Sequence, residues 1–560
     1  MTKAWFEQKD HRIFLFVLFI FSYLLLMCGN GIVSLTHPDE VFYIQSAKEM
    51  LAYDSWLTPM IFDAVQFEKP FLPFVLFMVA IKWFGMTAFA GRFWPSLFGI
   101  GGVLVVYWIS WLLFRSKRLS FLAGVILSTS FIYLALSRAV LTDMIFAVFV
   151  AISLGFFILA YYNRRYKKRG IILCFAFAAI AILTKGLLGF CFPVMTIITF
   201  LIYKRDFSFL RCRSTWWGIL LFLIIALPWH IVMYVQHGMW FLEEYFFNVH
   251  WRRILMSEHA RLDNWHFYIM LMIVGVIPWF LFWISSSVCL FEQFKKKLAS
   301  RDKLFFLLAW IIGVYVFVQP AHSKLASYLF PLFPAIAIIL AYTINDALEK
   351  FTAGKNVKLF CGSAYAMSAF LVGGAITGIV VAGQYPTIIL NMTVIYCAAG
   401  ALILTAFLIA FFNIKKLYLP MVLSHVGVTV TLVVSLLFAK PFIEPWVSCK
   451  GIMEAFKKID QSGTPILSSK FYVRGVRFYS DRPVAVIDIN GGGFWSEHAI
   501  PFLNKDHQVV DFLKQRPVTW AVVKDGNVKD LQRILMNQKF QITKLDGIGG
   551  KFILKIEQTG

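Results

Sequence analysis

Long apolar runs separated by short polar segments fill most of the chain. Starting with residues 11–30, they recur at 93–114, 119–136, 141–162, 170–183, 186–203, 215–235, 266–290, 304–319, 326–345, 359–382, 390–413 and 417–438. Runs of this length cross the hydrocarbon core of a bilayer as helices, which predicts about thirteen spans. The first run follows a basic start and lacks a small-x-small cleavage site, so it is expected to stay as an uncleaved anchor.

The polar segments test that count. With the N-terminus inside, the segments predicted to be cytoplasmic hold Arg115, Lys117 and Arg118; Arg164, Arg165, Lys167, Lys168 and Arg169; Lys204, Arg205, Arg211 and Arg213; Lys295, Lys296, Lys297, Arg301 and Lys303; Lys350, Lys355 and Lys358; and Lys415 and Lys416. Every basic cluster falls on one side, as retention of positive loops requires. The agreement holds only if the apolar run 71–84, which is short and contains Pro73, is not a span. Residues 31–92 are therefore predicted to form an outer loop with interfacial helices over 38–51 and 71–84.

From about residue 440 the composition turns mixed, with strand-like runs at 465–468, 483–489, 520–523 and 552–556 and helix-like stretches at 451–459 and 528–536. This predicts two domains: a mainly α transmembrane domain over 1–439 and a soluble α/β domain over 440–560, on the outer side by the same count.

At 59% hydrophobic and 15% charged, the chain is too apolar for an ordinary soluble enzyme. Its net charge of +23 would suggest nucleic acid in a soluble protein, but here the excess is the loop pattern just described. The eight cysteines show no CxxC pair or other metal spacing.

Candidate chemistry gathers in the outer segments. The first loop carries His37-Pro38-Asp39-Glu40 and Phe67-Glu68-Lys69-Pro70. Later come Arg138, Thr142 and Asp143; Thr184-Lys185-Gly186; Leu227-Pro228-Trp229-His230; Asn248, His250, Arg252, Arg253, His259 and Arg261; and His322, Ser323, Lys324 and Tyr328. Each has a plain reading: Asp39 and Glu40 complement a helix dipole, Glu68 and Lys69 pair at the surface, Asp143 caps its helix, and Lys185 snorkels. Together, carboxylates facing Lys, Arg and Tyr at a membrane surface suit a pocket that orients a polar substrate and holds a phosphate leaving group.

In order and spacing from about residue 37 to 334, these motifs resemble the bacterial 4-amino-4-deoxy-L-arabinose transferases of lipid A. That family belongs with the protein O-mannosyltransferases in the GT-C superfamily. The resemblance implies a polytopic GT-C fold and an inverting transferase of the bacterial inner membrane with a periplasmic active site. An undecaprenyl-phosphate-linked sugar would be the donor, and lipid A or another envelope glycan the acceptor. Under it, Asp39 and then Asp143 are the candidates for general base or sugar orientation. Lys69, Arg253, Lys324 and Tyr328 would hold the donor phosphate, and Glu40, Glu68, Lys185 and His250 would contact substrate. A divalent cation, if used, would fall to Glu68 and His250, although no local ligand motif is present.

Two departures stand out. Phe42 occupies a position where the family commonly carries Arg, and the segment around His250 is short before its Arg; both changes leave the sugar open between an aminosugar and a neutral hexose. A lipid-linked-sugar flippase, a protein O-mannosyltransferase-like enzyme and a noncatalytic envelope-assembly protein are the alternatives. A transporter would place its ionisable groups near span centres, whereas here most sit at span ends.

Overall fold

The computed structural model describes residues 3–258, 260–352, 357–384 and 392–559; His259, Lys355 and the start of the 390–413 run lie outside them. It resolves into two compact units. One comprises residues 1–30 and 92–438, the other 31–91 and 439–560. The first loop thus belongs to the same compact unit as the carboxyl-terminal segment.

Each of the thirteen apolar runs contains helix, but not all are continuous: the run 266–290, expected as one span, is split into Phe267–Gly275 and Phe282–Lys295 by residues 276–281, where Pro278 lacks the N–H a continuous helix needs. Among the described residues, seven helices are long and apolar enough to cross a membrane, or eight if the bent pair Lys117–Thr129 and Phe131–Ser137 forms one span. The chain is a multi-pass membrane protein.

Two antiparallel helices show how the first unit is built. Asp143–Tyr162 ends at Asn163, whose side chain accepts from the Arg165 N–H and turns the chain back into Lys167–Lys185. Gly170 lets the two approach closely: a Cβ there would lie 2.9 Å from the Phe156 carbonyl oxygen and the Ala160 Cβ. At the far end, Gly186 takes φ +93° and starts the next helix, Leu188–Lys204.

A helix of twenty residues is about 30 Å long, so Asp143 and Asn163 stand at opposite ends of the unit. The basic segments meet one another at a single end. Lys117 donates to the carbonyls of Glu7 and Lys9 (2.8 and 2.7 Å), and Arg118 donates to Asn345 (2.8 Å). Lys350 pairs with Glu292 and Asp346, and Lys204 with Asp302. The other end collects Asp143, Lys185, His250, Arg253, Lys324 and Tyr328.

In the second unit, the loop holds the helix Asp39–Ala52, a hairpin of β1 (Met60–Ile61) and β2 (Ala64–Val65), and the helix Leu72–Phe84. The helices fall where the sequence predicts them. The carboxyl-terminal segment forms a mixed sheet of β3 (Ile466–Ser469), β4 (Val484–Ile487), β5 (Phe502–Leu503), β6 (Val518–Lys524), β7 (Phe540–Ile548) and β8 (Lys551–Gln558), ordered β5-β4-β3-β6-β8-β7. β3, β4, β5 and β6 run parallel, with Ile466 opposite both Val484 and Trp520, while β8 runs antiparallel to β6 and β7. The sequence reading misses β5 and β7.

Several ties join the loop to the carboxyl-terminal segment within this unit. His37 N–H donates to the Val447 carbonyl (3.0 Å), Ser34 N–H to Glu444 (3.1 Å) and Tyr479 OH to the Leu35 carbonyl (3.2 Å). Arg477 pairs with Asp63 at 2.7 Å, and Lys48 pairs with Asp481.

Candidate active site

In the first unit, the helix geometry brings Asp143, at the start of its helix, against Lys185, at the end of the next. Their side chains form an ion pair and are 5% and 4% exposed. Such a pair persists only because each charge compensates the other in a poorly hydrated setting. The Lys185 ammonium also lies 5.0 Å from the centre of the Tyr328 ring, within cation–π range.

Tyr328 OH accepts from Arg253 at 3.0 Å, and Arg253 also pairs with Glu258 at 3.1 Å. Backbone bonds fix the two segments together: Ser323 N–H donates to the Arg253 carbonyl (3.1 Å), and His322 N–H to the Ile254 carbonyl (3.2 Å). Beyond them, Lys324 donates to Asp263 (2.9 Å) and to the Ala321 carbonyl (2.9 Å), while His322 Nδ1 meets the other Asp263 oxygen at 2.7 Å. The bonds from Lys324 and then His322 hold the Asp263 carboxyl below the usual carboxylate range.

His250 completes this end. Its Nδ1 donates to the Tyr245 carbonyl (2.6 Å), which leaves Nε2 as the acceptor facing the Leu187 N–H at 3.4 Å. A Cβ on Gly186 would approach that Nε2 to 2.4 Å, so the Thr184-Lys185-Gly186 turn closes directly on the ring.

Asp143, Lys185, Arg253, Lys324, Tyr328 and His250 therefore share one end of the first unit. Arg138 is used differently, donating to the Leu25 and Cys28 carbonyls at the end of the first long helix (2.9 Å each). Asp263 and Glu258 were not singled out from the sequence. Nothing in their local pattern separates them from other loop carboxylates; their cation partners come from tertiary pairing.

The second unit holds the first-loop candidates. Asp39 is exposed in the first turn of its helix, while the buried Glu40 carboxylate accepts from the Thr36 N–H (2.8 Å) and hydroxyl (3.0 Å). Lys69 Nζ donates to the Glu68 carbonyl at 2.9 Å. The Glu68 carboxylate faces two residues that the sequence reading passes over, Arg474 and His498, each at 3.9 Å. Arg474 also lies 4.6 Å from the centre of the Phe42 ring. Among the described residues, no group of three or more His, Cys, Asp or Glu side chains is arranged to hold a metal ion.

A family model described as dolichyl-phosphate-mannose-protein mannosyltransferase matches residues 12–241. An undecaprenyl phosphate-alpha-4-amino-4-deoxy-L-arabinose arabinosyl transferase of Proteus mirabilis is 27% identical over 351 residues, 61% of this chain and 61% of its own length. The chain thus spans about three-fifths of the length of that curated relative. The crystal structure of ArnT from Cupriavidus metallidurans bound to undecaprenyl phosphate superposes with a TM-score of 0.76 at 18% identity, covering 97% of both chains. The chain has the fold of that protein.

Proposed function

We propose that this GT-C chain transfers a sugar, 4-amino-4-deoxy-L-arabinose or a related aminosugar or hexose, from undecaprenyl phosphate to lipid A or another envelope glycan. The reaction takes place on the periplasmic face of the bacterial inner membrane. The acceptor oxygen attacks the anomeric carbon as the bond to the polyprenyl phosphate oxygen breaks, inverting the configuration. Negative charge grows on the departing phosphate, so fixed cations lower the barrier.

The observation that carries this reading is the Arg253–Tyr328 contact beside Lys324 and Lys185, at the end of the membrane unit opposite the basic segments. It stands in a fold shared with a protein whose structure was solved with undecaprenyl phosphate. Lys69 joins the phosphate-holding group in this proposal, with Asp39 as base or sugar-orienting acid and Asp143 second. Glu40, Glu68, Lys185 and His250 are the candidates for contacts to substrate. An acceptor that is itself a phosphate needs little proton abstraction, and the acids then serve mainly to orient the sugar.

The test is transfer by purified protein from undecaprenyl-phosphate aminoarabinose to lipid A, paired with mass analysis of envelope lipids from cells with and without the gene. An added sugar mass that depends on the gene supports the reading. No transfer in vitro and identical lipid masses would remove it.

A further inference from the structure

The Phe67–Pro70 segment faces a residue from the other end of the chain. Arg474 lies in the helix Val473–Ser480 that follows the central strand β3, and its guanidinium meets the Glu68 carboxylate although 406 positions separate them. Arg474 and Glu68 side chains are 15% and 13% exposed, so the contact is largely shielded from water. Two aromatic rings fix the guanidinium, Phe42 at 4.6 Å and Phe494 at 5.7 Å.

His498 closes the triangle. It stands 3.4 Å from an Arg474 nitrogen and 3.9 Å from Glu68. Because guanidinium nitrogens only donate, His498 Nε2 is the acceptor, and burial, reinforced by Arg474, lowers its pKa to about 4 despite the opposing pull of Glu68. The imidazole is thus neutral under ordinary conditions, and the charge facing Glu68 is that of Arg474.

This contact is too long to be a strong fastening, since 3.9 Å exceeds hydrogen-bond range. The unit is held together elsewhere, by Arg477–Asp63, Lys48–Asp481 and the backbone bonds of His37 and Ser34. Arg474 is instead placed to bias, by charge, where the Glu68 side chain points, and the Glu68 backbone carbonyl accepts from the Lys69 ammonium.

We propose that Arg474, a residue of the carboxyl-terminal segment, is the positioning residue for Glu68 and Lys69, and so tunes the part that these two residues play in sugar transfer. The inference rests on the transferase reading for its effect on turnover, but its structural half stands apart from it. A displacement of about 1 Å at a reacting group can cost about a hundredfold in rate.

The experiment measures two things on the full-length protein. Hydrogen exchange over residues 66–70 reports positioning, and transfer from lipid-linked sugar reports function. Arg474→Gln is expected to speed exchange in that segment several-fold with melting temperature nearly unchanged, and to lower kcat about 10- to 100-fold with a smaller change in KM. Arg474→Lys should recover part of both. In a double-mutant cycle with Glu68→Gln, the two losses should be far from additive.

If the parent shows no transfer, the functional reading fails while the exchange result still decides the positioning claim. Unchanged exchange and unchanged turnover in Arg474→Gln, or additive losses in the cycle, would overturn the proposal. Should Arg474→Gln fail to fold, the Arg474→Lys and Glu68→Gln variants carry the same comparison.

Discussion

The Asp143 carboxylate closes on the Lys185 ammonium where two neighbouring antiparallel helices begin and end, so each supplies the charge that makes the other tolerable. Removing one partner of a buried pair leaves a stranded charge and typically costs about 3–5 kcal/mol, whereas removing both costs less. Asp143→Asn alone should therefore lower the melting temperature clearly. The Asp143→Asn/Lys185→Met double variant should regain much of that stability without regaining turnover. Strictly additive melting shifts would show that the pair is not a unit.

Arg253 and Tyr328 should act together on the leaving group. Arg253→Ala is expected to reduce turnover by roughly 10² to 10³, the usual scale for losing one charge-stabilising donor. Lys69→Ala should fall in the same range. Tyr328→Phe, which removes the oxygen that accepts from Arg253, should lose less and add little on top of Arg253→Ala. Full transfer activity in both Arg253→Ala and Lys69→Ala would take the phosphate away from these residues.

Asp39 separates an enzyme from a scaffold. Its carboxylate is exposed in a first helical turn, where Asn is nearly as good a neighbour for free N–H groups, so a structural role predicts a loss of at most about 1 kcal/mol. A role in orienting sugar or taking a proton predicts roughly a hundredfold lower turnover with the fold intact. Transfer within a few-fold of the parent would return Asp39 to the helix start.

Acid should loosen the segment around Asp263. Its carboxyl is held below the ordinary value of about 4 by Lys324 and His322, so the ionised form binds better in the folded protein. That contribution is complete above the ordinary value and disappears as pH falls through the lower, folded one. Proteolysis near residues 260–264 is expected to rise only in strong acid, and in Asp263→Asn to be high already at neutral pH. A segment that loosens between pH 5 and 7 would contradict the assignment.

Orientation is tested by cysteine labelling in intact cells. Residues near 236–263 and beyond 440 are expected to react from outside, and 295–303 only after permeabilisation. Label reaching residue 300 but not residue 500 would reverse the scheme.

The membrane unit was legible because apolar runs and basic loops obey two independent rules that agree. Parts of the carboxyl-terminal segment were not. The strand β7 is an edge strand whose Gln541, Lys544, Leu545 and Asp546 face solvent, so it lacks the buried alternation that marks a strand. Asp143 and Lys185 were visible as ionisable residues beside apolar runs, but their pairing was not. Asp263 and Arg474 carried no signal at all, since each gains meaning only from a partner distant in sequence, Lys324 and Glu68.

The loop of residues 31–91 and the segment from 439 onward form one compact body, yet nearly 350 residues of membrane helix are synthesised between them. At about 5–20 residues per second, the loop waits roughly 17 to 70 s on the ribosome's clock before its partner emerges. Over that interval His37, Ser34 and Asp63 are without Val447, Glu444 and Arg477. The last fifth of translation is therefore the step at which the first loop acquires its shape, and a chain that stops short there would leave its earliest motif open to proteases.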